Sequence, residues 1–351
     1  ARIAAEEANQ AKSAFLATSS GGNLPTFGQL KGENPDVGEG AIKRLIGGPV
    51  NDGFYVAGDL RENENTALTT LHTVWMREHN YQAARLAGLN PGWTQDEVFE
   101  AAKIIVEAEM QHVVFKEWLP LLVGGDHIQA YAGYRDTVDD AVSHEFATAA
   151  FRLGHSLLPN NLQRLGEDGK PIAQGNAELF QSFFRPDEYV AGGGADPLLR
   201  GLLDRPAQEL DSLIVDDVRQ QLFGDRARDL AVLNILRGRD HGLADFNGVR
   251  EALGLGRLES FAQLTSDTVL QAGLAEVYAS IDNFDLWVGG LIENDAAGSQ
   301  LGETLQAIVL DQFLRARDGD RFYYETRLQD MPALLAEIEA DRKSTRLNSS
   351  H

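Results

Sequence analysis

Within FRLGHS, residues 151–156, three neighbouring residue types could serve one ligand. His155 offers an imidazole whose neutral form binds a metal or a metal-bearing cofactor through a ring nitrogen. Arg152, one turn earlier, offers a guanidinium suited to an anionic group of the same ligand. Gly154 removes the side chain beside His155. A glycine inside a helix costs roughly 0.5–1 kcal/mol relative to alanine, so its presence there suggests a bulky partner that packs close.

The segment predicts a helix over 139–158. At about 100° per residue, His144, Thr148, Phe151, Arg152, His155 and Leu158 fall on one side, and Val142, Phe146, Ala149, Leu153 and Leu157 on the other. Two readings follow. Either the apolar side packs on a core and His155 lies in water, or His155 points into a pocket as a ligand. Periodicity does not choose between them.

The other histidines carry less. His72 and His79, seven apart on one long helix, fit a buried structural pair. Glu109 and His112 form one E-x-x-H; carboxylate-bridged di-iron bundles need two copies, and no second copy occurs in the sequence. His127 and His144 read as loop or surface residues, and His241, in RGRDHG, as a support for the turn after the preceding helix.

The elements that position these residues are mainly helical. The 351 residues are 43% apolar, enough for a substantial core. Residues 1–58 are rich in Gly, Asn and Pro and read as loops with one short helix. Asp59 and Glu62 have the spacing of a capping box that opens a helix to about Leu86, with Leu68, Leu71, Trp75 and Leu86 near one face. Further helices are predicted at about 94–118, 175–184, 207–222, 226–237, 244–253, 258–264, 267–273, 285–291 and 301–315. No run of alternating strands and no internal repeat is present, and AGGGAD at 191–196 reads as a loop.

A formal charge of −22 argues against nonspecific binding to nucleic acid or to an anionic membrane surface, both of which need clustered Lys and Arg. No apolar run is long enough for a membrane span. With no cysteine, disulfides and thiolate chemistry are excluded. DRKSTRLNSSH, residues 341–351, resembles the translation of a sequencing adapter and is set apart as an artefact tail.

GDLRENENTALTTLHTVWMREHN (58–80), ATAAFRLGHSLLP (147–159) and LAVLNILRGRDHGLADFN (230–247) resemble the signature blocks of the animal-type haem peroxidases, within the peroxidase and cyclooxygenase superfamily. FDLWVGGLIE (284–293) and DQFLRARDGDRFYYE (311–325) continue the resemblance in family order, most similar to bacterial members. It implies a mainly α fold with little or no β, a haem b cofactor, hydrogen peroxide as oxidant, and a halide or organic molecule as electron donor. It also implies a secreted or extracellular setting.

Residue by residue, the resemblance makes His155 the proximal iron ligand and Asn234 the side chain whose oxygen accepts from its other ring nitrogen. Arg152 and Arg237 match the cations paired with the haem propionates; Arg237, three residues after Asn234, can face the same ligand from one helix. Arg61 matches the arginine that polarises bound peroxide. Glu64 matches a carboxylate esterified to a haem methyl in some relatives, and Asn65 stands where one mammalian branch has a haem-bonded Met.

The family's distal His-Asp pair and its calcium loop have no counterpart in residues 1–60. The resemblance therefore reads residues 1–340 as a partial, single peroxidase domain that lacks the distal His, with calcium expected only in a longer parent and weak turnover in the fragment. Two alternatives are a fatty-acid dioxygenase of the same superfamily and a non-catalytic haem-binding adhesive module. The dioxygenases place a radical-forming Tyr one turn before the proximal His, where this chain has Arg152.

Overall fold

A computed structural model describes residues 24, 26, 53–57, 59, 61–223 and 228–340. Most of the loops expected over 1–58, and the tail at 341–351, lie outside the described residues.

The chain is mainly α. Its helices are α1 (Thr66–Leu89), α2 (Gln95–His112), α3 (Leu119–Val123), α4 (His144–Thr148), α5 (Leu179–Ser182), α6 (Pro186–Ala191), α7 (Ala195–Asp204) and α8 (Asp216–Arg219). They continue with α9 (Leu230–Asp240), α10 (Phe246–Ala252), α11 (Phe261–Leu264), α12 (Thr268–Tyr278), α13 (Leu286–Ile292), α14 (Glu303–Asp318), α15 (Tyr324–Arg327) and α16 (Pro332–Ala340). A π-helical turn, Val113–Trp118, joins α2 to α3, and 3₁₀ turns occupy Gly125–His127, Ala150–His155 and Ile281–Asn283. Among the described residues the only strands are β1 (Asn161–Leu162) and β2 (Ala177–Glu178), antiparallel, with Asn161 opposite Glu178 and Leu162 opposite Ala177.

The chain divides into two compact units. The first comprises residues 1–106, 159–207 and 216–228. Here α1 begins later than its expected capping box: Asn65 is the cap, its Oδ1 accepting from the amides of Ala67 and Leu68 at 3.0 Å each. The Asp59 carboxylate is occupied instead by the Arg61 amide and guanidinium.

The face that α1 buries also differs from expectation. Thr66, Thr69, Thr70, Thr73, Met76, His79 and Gln82 are buried, whereas Leu71 is exposed and Leu68, Trp75 and Leu86 are half-buried. Threonines suit this stripe because their hydroxyls turn back onto carbonyls one turn earlier, Thr70 to Thr66 at 2.9 Å and Thr73 to Thr69 at 2.8 Å. A stripe of small side chains lets α7 pack closely on α1.

The second unit comprises residues 107–158, 208–215 and 229–351. Its core gathers Leu119, Phe146, Leu153, Phe246, Phe284, Trp287, Leu305 and Val309. Helix α13 crosses at close range because Gly289 and Gly290 carry no side chain: a Cβ at the first would overlap the Phe246 ring, and at the second the Leu305 side chain. A buried Arg250–Glu293 ion pair ties α10 to the end of α13.

The single helix expected over 139–158 is two pieces. Ser143 caps α4, and Ala149, at φ −128° and ψ −66°, breaks the α-helical winding. The chain then continues as a 3₁₀ turn with hydrogen bonds from Arg152 N to Ala149 O (3.0 Å) and Ser156 N to Leu153 O (3.2 Å). Three residues per turn stack Arg152 on His155, and equally Ala150 on Leu153, both of which are buried. Other boundaries moved too. Of the helix expected over 207–222 only α8 forms, the segment at 175–184 is a strand followed by α5, and α12 and α14 run further than expected.

Candidate functional site

The second unit brings together three of the expected residues. Helix α9 is capped by Asp229, whose carboxylate accepts from Val232 N at 3.0 Å. It is an apolar helix whose single fully buried residue is an asparagine: Asn234 has no exposed surface, while Val232, Leu233 and Leu236 are exposed. A buried amide needs partners. Asn234 Nδ2 lies 2.7 Å from His155 Nδ1, and Arg152 Nη1 donates to Asn234 Oδ1 at 3.2 Å. Trp287 of α13 donates its indole N–H to the Arg152 carbonyl at 3.3 Å, fixing the backbone of the 3₁₀ turn.

The amide is therefore turned the other way from the sequence-based expectation. Its oxygen faces Arg152 rather than the imidazole, because the guanidinium is the stronger donor in reach.

Electrostatics keep the imidazole neutral. Burial and the neighbouring Arg152 cation push the His155 pKa down to about 4, against a smaller opposing effect of the Asn234 bond. At neutral pH the ring is uncharged, and its Nε2 makes no hydrogen bond to any described residue. Gly154 has open space where a Cβ would stand.

The cations beside it are uncompensated. Burial lowers the Arg152 pKa and nearby Arg237, itself exposed, lowers it further. Neither is paired with a carboxylate among the described residues, and Arg152 Nε is buried without a partner. Arg239, two residues on, behaves oppositely: it holds the Asp285 carboxylate through two bonds of 2.9 and 2.7 Å. A neutral imidazole with a free nitrogen, two unpaired cations and an open space fit a planar metal porphyrin with anionic side chains.

Arg61 and Glu64 belong to the first unit. Arg61 is exposed and holds Asp59 through Nε to Oδ1 at 3.0 Å and Nη2 to Oδ2 at 2.6 Å, which pulls the Asp59 pKa down to about 2. Arg61 thus lies in the turn ahead of α1 rather than in its first helical turn. Glu64 is half-buried, and burial raises its carboxyl above the usual range, partly offset by Arg61.

The residue between them, expected only to close a capping box with Asp59, is buried instead. Glu62 is 1% exposed, accepts from Asn63 Nδ2 through Oε1 at 2.7 Å, and leaves Oε2 without a partner. Burial pushes its pKa up to about 8, aided by Asp59. The spacing that suggested a cap gives no sign of this burial, which comes from the packing.

Of the pair expected to be buried, His79 is buried and His72 only half-buried. The His79 ring is tilted 55° against that of Phe99, with Nε2 3.3 Å from the Phe99 carbonyl. His112 meets the Tyr324 ring edge-on, and His127 Nε2 lies 3.2 Å from the Ala297 carbonyl. His144 is a surface residue at the start of α4 and stacks on His241, and His241 N closes the end of α9 on the Arg237 carbonyl. Among the described residues no group of His, Asp and Glu could hold a bare metal ion, and no helix is long and apolar enough to cross a membrane.

Positions 8–345 match the animal haem peroxidase family. The chain is 39% identical over 296 residues to a peroxidasin of Drosophila melanogaster, covering 81% of this chain and 19% of that protein. It resembles the solved structure of peroxidase A from Dictyostelium discoideum with a TM-score of 0.79 and 34% identity, covering 85% of this chain and 58% of the other. A rice fatty acid alpha-dioxygenase shares the fold, with a TM-score of 0.67 at 18% identity over 83% of this chain and 57% of the other. The chain thus spans about a fifth of that peroxidasin and somewhat over half of the Dictyostelium peroxidase. By sequence and fold together, the chain belongs to the animal haem peroxidase family.

Proposed function

We propose that this chain carries the haem-holding side of a peroxidase, with His155 as the iron ligand. The observation that carries the reading is the unpaired couple of Arg152 and Arg237 beside a neutral imidazole. When bound, haem supplies the redox chemistry, taking two electrons' worth of oxidising power from hydrogen peroxide and passing it to a halide or an organic donor.

The residues of the chain do the rest. His155 binds through Nε2, which requires the proton on Nδ1. Asn234 orients the ring and raises its donor strength by accepting that proton's hydrogen bond, once its amide has turned to present oxygen. Arg152 and Arg237 neutralise the propionates, and Gly154 leaves room for the macrocycle edge. Arg61 is the cation assigned to peroxide. Its exposed pair with Asp59 is worth about 1 kcal/mol or less, so peroxide can compete for the guanidinium. Glu64 is the candidate for an ester to the haem, its half-buried carboxyl raised above the usual range by burial. The family's extracellular setting extends to this chain as part of the same proposal.

The test is a titration of the chain with hemin and with hemin dimethyl ester, followed by absorption. Uptake of hemin with an imidazole-bound spectrum, lost in His155→Ala, is expected. Arg152→Ala and Arg237→Ala should each weaken hemin binding about tenfold, the worth of one charge-assisted contact, and leave the uncharged ester unaffected. Identical spectra for the parent and His155→Ala would refute the assignment.

A further inference from the structure

The second unit contains a continuous run of aromatic rings that the chemistry above does not use. It starts at Phe151, the residue before Arg152 and four before His155 on the same 3₁₀ turn. The Phe151 ring lies 6.1 Å from Trp118 and 5.7 Å from Phe313, and Trp118 lies 5.7 Å from Phe313. Phe313 is 6.0 Å from Phe115, Phe115 is 5.4 Å from Tyr323, and Tyr323 is 4.9 Å from Tyr324, centroid to centroid.

Three features go beyond core packing. Phe115 and Trp118 sit on the π-helical turn Val113–Trp118, an irregularity concentrated at functional sites. Side chains that give up an electron readily, Trp118 at one end and Tyr323 with Tyr324 at the other, bracket phenyl rings that do not and so can only bridge. The terminal phenol has a place to put its proton: Tyr324 Oη donates to Glu325 Oε1 at 3.3 Å, and the Lys116 ammonium lies 3.1 Å from the same oxygen.

We propose that this ladder is a one-electron relay from the tyrosine pair to the porphyrin site, a sink for oxidising power when no donor is bound. The proposal rests on the haem reading above. In the test the oxidant is a porphyrin that has lost one electron to a light-driven acceptor; in the proposed reaction peroxide would withdraw two electrons from the haem site and the relay would return one of them. One electron leaves the Tyr324 phenol, crosses Tyr323, the two phenyl rings and Trp118, and reduces that porphyrin. The phenolic proton goes to the Glu325 carboxylate. A neutral tyrosyl radical and a carboxylic acid remain, beside a lysine of unchanged charge.

Zinc protoporphyrin makes the test independent of peroxide turnover. The chain is loaded with it, flashed in the presence of a soluble electron acceptor, and followed by transient absorption and by electron paramagnetic resonance of frozen samples. The oxidised porphyrin should decay as a tyrosyl signal rises. Tyr324→Phe should lose that signal with porphyrin uptake unchanged, and Trp118→Phe should slow the decay. Absence of a tyrosyl radical in the unaltered chain would overturn the relay without any variant. Its persistence in Tyr324→Phe, or an unchanged decay in Trp118→Phe, would do the same. Failure to take up the porphyrin would remove the haem reading and the relay together, whereas uptake that depends on His155 without radical transfer would remove the relay alone.

Discussion

Asn234 Nδ2 lies 2.7 Å from His155 Nδ1, while the oxygen of the same amide is held by Arg152 at 3.2 Å. An imidazole that gives the Nε2 lone pair to iron carries its proton on Nδ1, and an N–H cannot face an NH₂ group. Ligation therefore requires the amide to turn over, and that half-turn withdraws the oxygen from Arg152. In the proposed site this would free the guanidinium for a propionate. Asn234→Ala should destabilise the protein by about 1–3 kcal/mol, the cost of leaving buried polar groups unpaired, and should weaken hemin binding. Asn234→Asp, which only accepts, should hold hemin better than the alanine variant. Urea unfolding and hemin titration check both; equal values for Ala and the parent would mean the amide has no such role.

Glu62 gives the protein a pH dependence of its own. Its folded pKa, about 8, lies above its ordinary value. The folded state therefore holds a proton that the unfolded chain releases, and stability from this group is full below its unfolded pKa and falls as pH rises through about 8. Glu62→Gln keeps an oxygen for Asn63 and removes the titration. It should match the parent near the acid end and exceed it by about 2 kcal/mol above the folded pKa, an order-of-magnitude value for a buried carboxylate. His155 acts in the opposite sense: its pKa is lowered to about 4, so its contribution is present above the unfolded value and is lost as pH falls toward about 4. Unfolding curves across pH for Glu62→Gln and the parent separate the two, and parallel curves would show that Glu62 is ionised in the fold.

Gly154 has open space around its missing Cβ and an ordinary negative φ. Gly154→Ala should therefore unfold at the same temperature as the parent or slightly higher, since alanine is the better helix former. A bulkier Gly154→Leu should reduce hemin uptake without lowering the melting temperature by more than a few degrees. A large loss of stability in Gly154→Ala would mean that the glycine serves packing rather than a ligand.

Much of this site was legible because chemistry fixes residue types more tightly than shape does. His155 and Asn234, 79 positions apart in the chain, stand in hydrogen-bonding contact, and α9, α13 and α14 form close to their expected places. Other features depend on partners that no local pattern reveals. The helix wheel put Arg152 and His155 on one side for the wrong reason, since their alignment comes from 3₁₀ winding after the break at Ala149. Counting leucines misplaced the buried face of α1, because close packing there favours threonines. The burial of Glu62 and the turned amide of Asn234 are tertiary outcomes.

The bond between His155 and iron is tested most directly by resonance Raman spectroscopy of the hemin-loaded, reduced chain, with histidine labelled by ¹⁵N. An iron–imidazole stretch that shifts with the label and vanishes in His155→Ala is the predicted result. The same stretch surviving unchanged in His155→Ala would contradict the account.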